Sequence, residues 1–354
     1  MKSVEIFDRK IGKGYPPYIV AELSANHNGS LETALKTIGM AKNNGADAIK
    51  IQTYTPDTMT IDSNGSDFQI TDGLWSGYSL YNLYKKAHTP YAWHEEIFNY
   101  ARKLEITCFS SPFDESAVDF LEDLNCPAYK IASFEAIDLP LISYASQTGK
   151  PIVISTGMAT LNEIHEAVDT AKSAGCKDLI LLHCISAYPA APEECNLLTI
   201  KDLEKKFNIV VGLSDHTMGT AVSVASIALG ASFVEKHVTL SRSANGPDSS
   251  FSLEPNELKK LCHDSKVAWS ALGGISYSNK SEEDSLKHRR SIYIVKDMKV
   301  GEILTLENMR RIRPGFGVKP KYYQDFLGRA VKVDVSKGTA LSFDMVDIDE
   351  SLLP

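Results

Sequence analysis

The sequence predicts an α/β protein, a (β/α)8 TIM barrel followed by a small β-rich module. Three observations carry this expectation. Eight short, apolar, β-branched runs recur between Tyr18 and Thr239, with amphipathic segments between them, which is the alternation that parallel sheets produce. That alternation is too long and regular for an open doubly wound sheet, and no glycine fingerprint for a dinucleotide follows the first run. The 354 residues also exceed the ~250 that such a barrel uses, which leaves room for one further small module.

In chain order, the N-terminal lead-in reads as a short hairpin turning at Gly12 to Gly14. Tyr18 to Leu23 is the first buried strand, continuously apolar as strands covered on both faces are. Ser30 is a good N-cap, and Leu31, Ala34, Leu35, Ile38 and Ala41 then recur at helical spacing until Gly45. Further strands are expected over Ala48 to Tyr54, Ile106 to Ser111, Ala128 to Ser133, Pro151 to Thr156, Asp178 to Cys184, Asn208 to Ser214 and Ser232 to Thr239. A capping box at Thr160 and Glu163 opens one of the helices between them. Residues Thr55 to His94 interrupt the rhythm and are crowded with Trp75, Tyr78, Tyr81, Tyr84, Tyr91 and Trp93. Long loops of this kind at a barrel mouth are binding loops; the alternative is a satellite core packed on the barrel's outside.

After the helix around Leu258 to Leu272 the texture changes. The expected division is a catalytic barrel over residues 1–275, a charged linker over 276–290 and a compact β-rich domain over 291–354, where tight turns separate short pieces. Such a domain is small for independent stability.

A net charge of −8 without any long Lys/Arg block argues against nucleic acid or an anionic membrane as partner. The six cysteines form no C-x-x-C pair, so they read as reduced and structural. The N-terminal segment is too charged for a signal-peptide core and no apolar stretch is long enough to span a bilayer, which together give a cytoplasmic expectation.

In a (β/α)8 barrel, reactive groups collect at the C-terminal ends of the strands. There the sequence offers Glu22; Lys50 and Gln52; Lys130, Ser133 and Glu135; Ser155; Ser186 and Tyr188; Ser214, Asp215 and His216; and Glu235 and His237. A single histidine at such a position is an ordinary hydrogen-bonded core residue. Two at successive strand ends, flanked by Asp215 and Glu235, suit a divalent metal with open positions. Lys50 and Lys130, ringed by serine hydroxyls, suit a phosphate; the alternative is that each is scaffold, salt-bridged to Glu22 or Glu135.

These residues carry a resemblance. Ala21-Glu22-Leu23-Ser24-Ala25-Asn26-His27, Ile49-Lys50-Ile51-Gln52-Thr53, Phe109-Ser110-Ser111-Pro112-Phe113, Tyr129 to Glu135, Ser155-Thr156-Gly157-Met158, Gly212 to Thr217 and Glu235-Lys236-His237 are similar to the sialic acid synthase family over nearly the whole chain. The C-terminal module resembles that family's antifreeze-like (SAF) domain. Gly73-Leu74-Trp75, Leu80 to Tyr84, His88 to His94 and Arg313-Pro314 with Phe316-Gly317 most resemble the family's pseudaminic acid synthase branch.

The resemblance implies a phosphoenolpyruvate-dependent, C–C bond-forming transferase. It condenses phosphoenolpyruvate with an N-acetylated aminosugar aldehyde and releases phosphate by C–O cleavage; in the pseudaminate branch the sugar is 2,4-diacetamido-2,4,6-trideoxy-L-altrose. It further implies that His216 and His237 bind a divalent cation, Mn2+ with Mg2+ or Co2+ as alternatives, which polarises the aldehyde and positions a water. Glu22 then orients that water and stabilises the cation formed at C2. Lys50, Lys130, Ser133, Ser155 and Ser214 match phosphoenolpyruvate contacts, and Gln52, Glu135 and Tyr188 match sugar contacts. Arg313 matches an arginine that reaches the sugar of the other subunit in a domain-swapped homodimer. One departure is Ser186, where neuraminate synthases carry Asn. Rival readings are a neuraminate or legionaminate synthase with the same chemistry, a Schiff-base aldolase using Lys130, and a non-catalytic sugar- or ice-binding protein.

Overall fold

The computed structural model describes residues 2–347, so the last seven residues of the expected C-terminal domain lie outside the described region. The chain divides into two compact units, Met1–Gly273 and Gly274–Pro354.

The first unit opens with an antiparallel hairpin of β1 (Val4–Ile6) and β2 (Arg9–Ile11). Its turn is at Phe7 and Asp8, not at Gly12 to Gly14 as the glycines suggest: Val4 pairs with Ile11, and Phe7 takes a φ of 54°. Eight parallel strands follow and close on themselves: β3 (Tyr18–Glu22), β4 (Ala48–Thr53), β5 (Thr107–Pro112), β6 (Tyr129–Ile131), β7 (Ile152–Ser155), β8 (Leu179–Cys184), β9 (Val210–Asp215) and β10 (Phe233–His237). The barrel closes between last and first, β10 pairing with β3 so that His237 is opposite Glu22. Glu22 in turn pairs with Lys50, and Glu235 with Ser214. Five of the residues singled out in the sequence thus lie on four adjacent strands, β9, β10, β3 and β4.

Close approach of β9 and β10 depends on Gly212. A Cβ there would sit 2.3 Å from the Phe233 carbonyl oxygen and 2.7 Å from Leu182, closer than van der Waals contact allows. Outside the barrel, helices bury the stripe expected of them. Ala34, Ile38 and Ala41 of α1 (Leu31–Asn43) are buried, and Ser30 caps its first turn. The helix Leu161–Ser173 carries both hydrogen bonds of the Thr160/Glu163 capping box.

The segment after β4 is ordered by short helices, Pro56–Met59 and Leu80–Ala87, before Tyr91–Lys103 takes up the regular position behind β5. Its aromatics divide. Trp93 packs on the barrel core, edge-on to His27, and His94 is buried, bonded to Thr53. Those two residues therefore belong to the scaffold and not to a binding loop. Ile97, Phe98 and Ala101, which follow on the same helix, are buried against the barrel and hold them there.

The second unit has its own apolar core, including Ile292, Ile294, Leu304, Met309, Phe326, Val331 and Leu341. One antiparallel ladder, Ser291–Ile294 against Met309–Ile312, is its main strand pair; the remaining short pieces meet through isolated bridges such as Met298 with Val335 and Ile303 with Ala330. The expected linker contains a helical turn, Glu283–Leu286, whose residues are exposed.

Candidate active site

At the C-terminal mouth of the barrel a row of buried charges crosses from strand to strand. Lys50 Nζ lies 2.8 Å from Glu22 Oε2 and 3.7 Å from Glu235 Oε1, and Lys130 Nζ lies 3.4 Å from the same Glu235 oxygen. Lys50 also donates to Ser111 Oγ at 3.1 Å, and Ser214 Oγ donates to Glu235 at 3.4 Å. Both lysines are ion-paired, as the scaffold alternative supposed, but Glu235 is the partner in the place of Glu135. The acid from β10 reaches both cations because the barrel closure brings β10 beside β3.

Burial and charge oppose each other along this row. Burial raises the Glu22 carboxyl, and Lys50 offsets only part of that. Burial also works to raise Glu235, but Lys130, Lys50 and His216 together hold it below the usual carboxylate range. Lys130 is depressed by burial, with Glu235 pulling it back. Lys50 is pushed down by burial yet ends above its ordinary value because Glu22 and Glu235 flank it. Replacing a carboxylate partner by an incoming phosphate or carboxylate keeps such lysines charged, and charge-assisted bonds of this kind are worth about 1.5–3 kcal/mol each. Ser155 Oγ is buried in β7 without a hydrogen-bond partner among the described residues, so it remains available for a ligand. Ser133 is buried in the turn after β6, packed with Ser186 around Gly157: a Cβ on that glycine would lie 2.8 Å from Ser133 Oγ and 2.3 Å from Ser186 Oγ.

His216 and His237 meet with ring centroids 5.4 Å apart. His216 Nδ1 is 2.8 Å from the Ile185 carbonyl, to which it donates, and this leaves Nε2 with its lone pair. Burial disfavours charge on His216, but Cys184 and the Ile185 carbonyl raise its basicity above the ordinary imidazole value. His237 is held neutral by burial, reinforced by His216 and Lys50, and its buried Nδ1 has no hydrogen-bond partner among the described residues. Two imidazoles with free lone pairs on one wall fit a divalent cation. Among the described residues no set of three or more His, Cys, Asp or Glu forms a metal cage, so any remaining ligands would come from water and substrate.

The acids that flank the histidines in sequence behave differently. Asp215 points away from the pair, bonded to Lys236, Ser223 and Thr217. Asp248 comes closest instead, its Oδ2 3.8 Å from His237 Nδ1 and bonded by Ser24 Oγ at 2.5 Å. Asp248 lies in the loop after β10, and nothing in local periodicity marks it; the only available signal is an acid in a loop at the C-terminal face.

Of the remaining predicted residues, Gln52, Tyr188 and Glu135 belong to the barrel unit. Gln52 Nε2 donates to Glu22 Oε1 at 3.0 Å and to Ser24 Oγ at 3.1 Å. Tyr188 stacks on His216 at 4.3 Å, and Trp75 from the inserted segment packs on Tyr188 at 5.5 Å while donating to the Pro247 carbonyl at 3.0 Å. Tyr81 is remote from this stack, its hydroxyl 3.3 Å from Asp57 on the surface. Glu135 is half-buried, and burial pushes its carboxyl up to about 7. Arg313 is in the second unit and exposed there.

Residues 37–277 match the NeuB family model. The chain belongs to the NeuB family. Residues 289–347 of this NeuB-family chain match the SAF domain. It is 48% identical over 327 residues to pseudaminic acid synthase of Campylobacter jejuni, covering 92% of this chain and 95% of that one. It is 44% identical over 339 residues to pseudaminic acid synthase of Helicobacter pylori, covering 95% and 99% respectively. Among solved structures, an N-acetylneuraminic acid synthetase from Leptospira borgpetersenii superposes with a TM-score of 0.72 at 30% identity, over 80% of this chain and 95% of that one. No helix among the described residues is long and apolar enough to cross a membrane.

Proposed function

We propose that this chain is a pseudaminic acid synthase, condensing phosphoenolpyruvate with 2,4-diacetamido-2,4,6-trideoxy-L-altrose in the cytoplasm to give pseudaminate and phosphate. One observation carries the reading: the buried row Glu22, Lys50, Glu235 and Lys130 runs beside the paired histidines His216 and His237, in a chain this similar to two pseudaminic acid synthases.

Lys50 and Lys130, with Ser133, Ser155 and Ser214, hold the phosphate and carboxylate of phosphoenolpyruvate, exchanging ion pairs with glutamate for ion pairs with substrate. The alkene carbon attacks the aldehyde carbon, forming the C–C bond as the alkene π bond and the carbonyl π bond break, and the aldehyde oxygen takes a proton from solvent water to become a hydroxyl. Positive charge develops at C2. Glu22, whose carboxyl is raised by burial, accepts the proton of the water that adds there, and its negative charge stabilises the cationic carbon. The tetrahedral centre then collapses to the ketone, breaking the C–O bond so that phosphate departs with the bridging oxygen against the two lysines. Gln52, Glu135 and Tyr188 orient the sugar. His216 and His237 would hold the divalent cation, Mn2+ in this proposal, and when bound it supplies a Lewis acid for the aldehyde.

Phosphoenolpyruvate labelled in the bridging oxygen, offered with a panel of acetamido sugars, tests both chemistry and substrate. The label should appear in inorganic phosphate, and the altrose derivative should give the highest kcat/KM. Label retained in the sugar acid would overturn the bond assignment. A preference for N-acetylmannosamine or the legionaminate precursor would overturn the branch.

A further inference from the structure

We infer that the Asp215–Lys236 ion pair, on the outer side of the barrel wall, is a positioning device that fixes the two histidines as one metal-binding pair. The inference rests on the metal reading of His216 and His237.

Glu235 and His237 share the inner face of β10, so Lys236 between them points outward, and the register pairs it with Asp215 at the end of β9. There Lys236 Nζ lies 2.8 Å from Asp215 Oδ2 and donates to the Thr217 carbonyl at 2.6 Å. Asp215 Oδ1 accepts from Thr217 N at 2.8 Å and Thr217 Oγ1 at 2.7 Å, and Oδ2 accepts from Ser223 at the start of the helix Ala221–Ala228. Both side chains are 1% exposed.

These contacts bracket His216 from both sides. The residue before it is tied to the backbone N–H of the residue after it, and the carbonyl of that same later residue is tied to Lys236, the immediate neighbour of His237. One ammonium therefore links the backbones that carry both imidazoles, while touching neither ring. A buried pair of this kind is weak as a source of stability, because two hydrophobic residues of similar volume serve as well, but its geometry is specific. Ser214 and Glu235, the inward neighbours, also meet across the two strands, Ser214 Oγ donating to Glu235 Oε1 at 3.4 Å, but that bond lies within the phosphate-facing row and does not reach the Thr217 backbone on the far side of His216.

The test is Mn2+ affinity of the metal-free full-length chain, read from the electron paramagnetic resonance of free Mn2+. His216→Ala, His237→Ala, Lys236→Met and Asp215→Asn are compared, each shown folded by circular dichroism. Loss of a group that orients metal ligands typically costs about 10- to 100-fold in affinity, and that is expected for Lys236→Met, with a smaller loss for Asp215→Asn, which keeps an acceptor oxygen for Thr217. At saturating Mn2+, kcat should recover in both, with KM for phosphoenolpyruvate unchanged. Native Mn2+ affinity in a folded Lys236→Met chain, when the histidine variants have lost theirs, overturns the positioning role alone. If Lys236→Met does not fold, Asp215→Asn decides, and native affinity there is equally fatal. Should the histidine variants keep native affinity, the metal reading itself fails and takes this inference with it.

Discussion

Glu135 carries its charge reluctantly. Its Oε2 is buried without a hydrogen-bond partner among the described residues, and burial moves its carboxyl from the ordinary 4.5 to about 7, with Lys130 pulling the other way. Between those values the folded chain holds a proton that the unfolded chain has released. The contribution of Glu135 to stability therefore falls as pH rises through that window, the reverse of a salt-bridged carboxylate. If the ionised form accepts a hydrogen bond from the sugar, KM for the sugar at saturating phosphoenolpyruvate should rise as pH drops below about 7. Glu135→Gln should flatten that dependence; an unchanged profile in the variant would remove Glu135 from the sugar contacts. Residue types at strand ends were legible in the sequence, and so was the proximity of Glu22, Lys50 and Gln52. Which acid a buried lysine reaches was not, because the Lys130–Glu235 pair depends on how the barrel closes, a contact between residues 105 positions apart.

The eight strands were readable because each is short, apolar and followed by a helical stripe, and the barrel needs nothing more local than that. The inserted segment between β4 and the helix Tyr91–Lys103 was harder, since an aromatic residue serves equally well as scaffold or as pocket wall. Its position decides: Trp93 lies on a helix whose inner face is buried, whereas Trp75 is in a turn that reaches across to Tyr188 and the Pro247 carbonyl. Trp75 is thus the part of the insertion that touches the histidine wall, through Tyr188. An aromatic contact is worth about 0.5–1.5 kcal/mol beyond area, and the indole hydrogen bond about 1 more. Trp75→Ala should therefore lower kcat/KM for the sugar roughly 10- to 100-fold. Tyr81→Phe, which removes only a surface contact with Asp57, should leave it within about twofold, as surface changes usually do. Equal losses in the two variants would show that the insertion acts as a whole and not through its tryptophan.

At the scale of the molecule, the mouth of the barrel and the C-terminal unit each present apolar surface to solvent. The loops after β6, β7 and β9 expose Phe134 (59%), Met158 (61%) and Met218 (50%), and the C-terminal unit exposes Phe316 (68%) close in sequence to the exposed Arg313. Exposed apolar groups gathered on one face mark an interaction surface. We propose that the partner's C-terminal domain covers the mouth in a homodimer and that Arg313 completes the sugar site across the interface, as the resemblance implies. The six free cysteines are all buried, so disulfides would have no part in the assembly. Among the described residues Arg313 makes no ion pair within its own chain, which leaves its five donors free for a substrate carbonyl. Removing a positioned donor typically costs about 10²–10³ in rate, so Arg313→Ala should lose that much while keeping its Tm, since an exposed side chain contributes little to its own fold. A complementation experiment then decides which subunit supplies the arginine. Arg313→Ala and His237→Ala chains are each inactive, but a mixed dimer with exchanged domains rebuilds one site holding both native residues. Activity should return on mixing, approaching a quarter of the native value per subunit when the two chains assort at random, because half the dimers are mixed and each restores one of its two sites. If mixed dimers form, as native mass spectrometry would show, and remain inactive, Arg313 serves the barrel of its own chain.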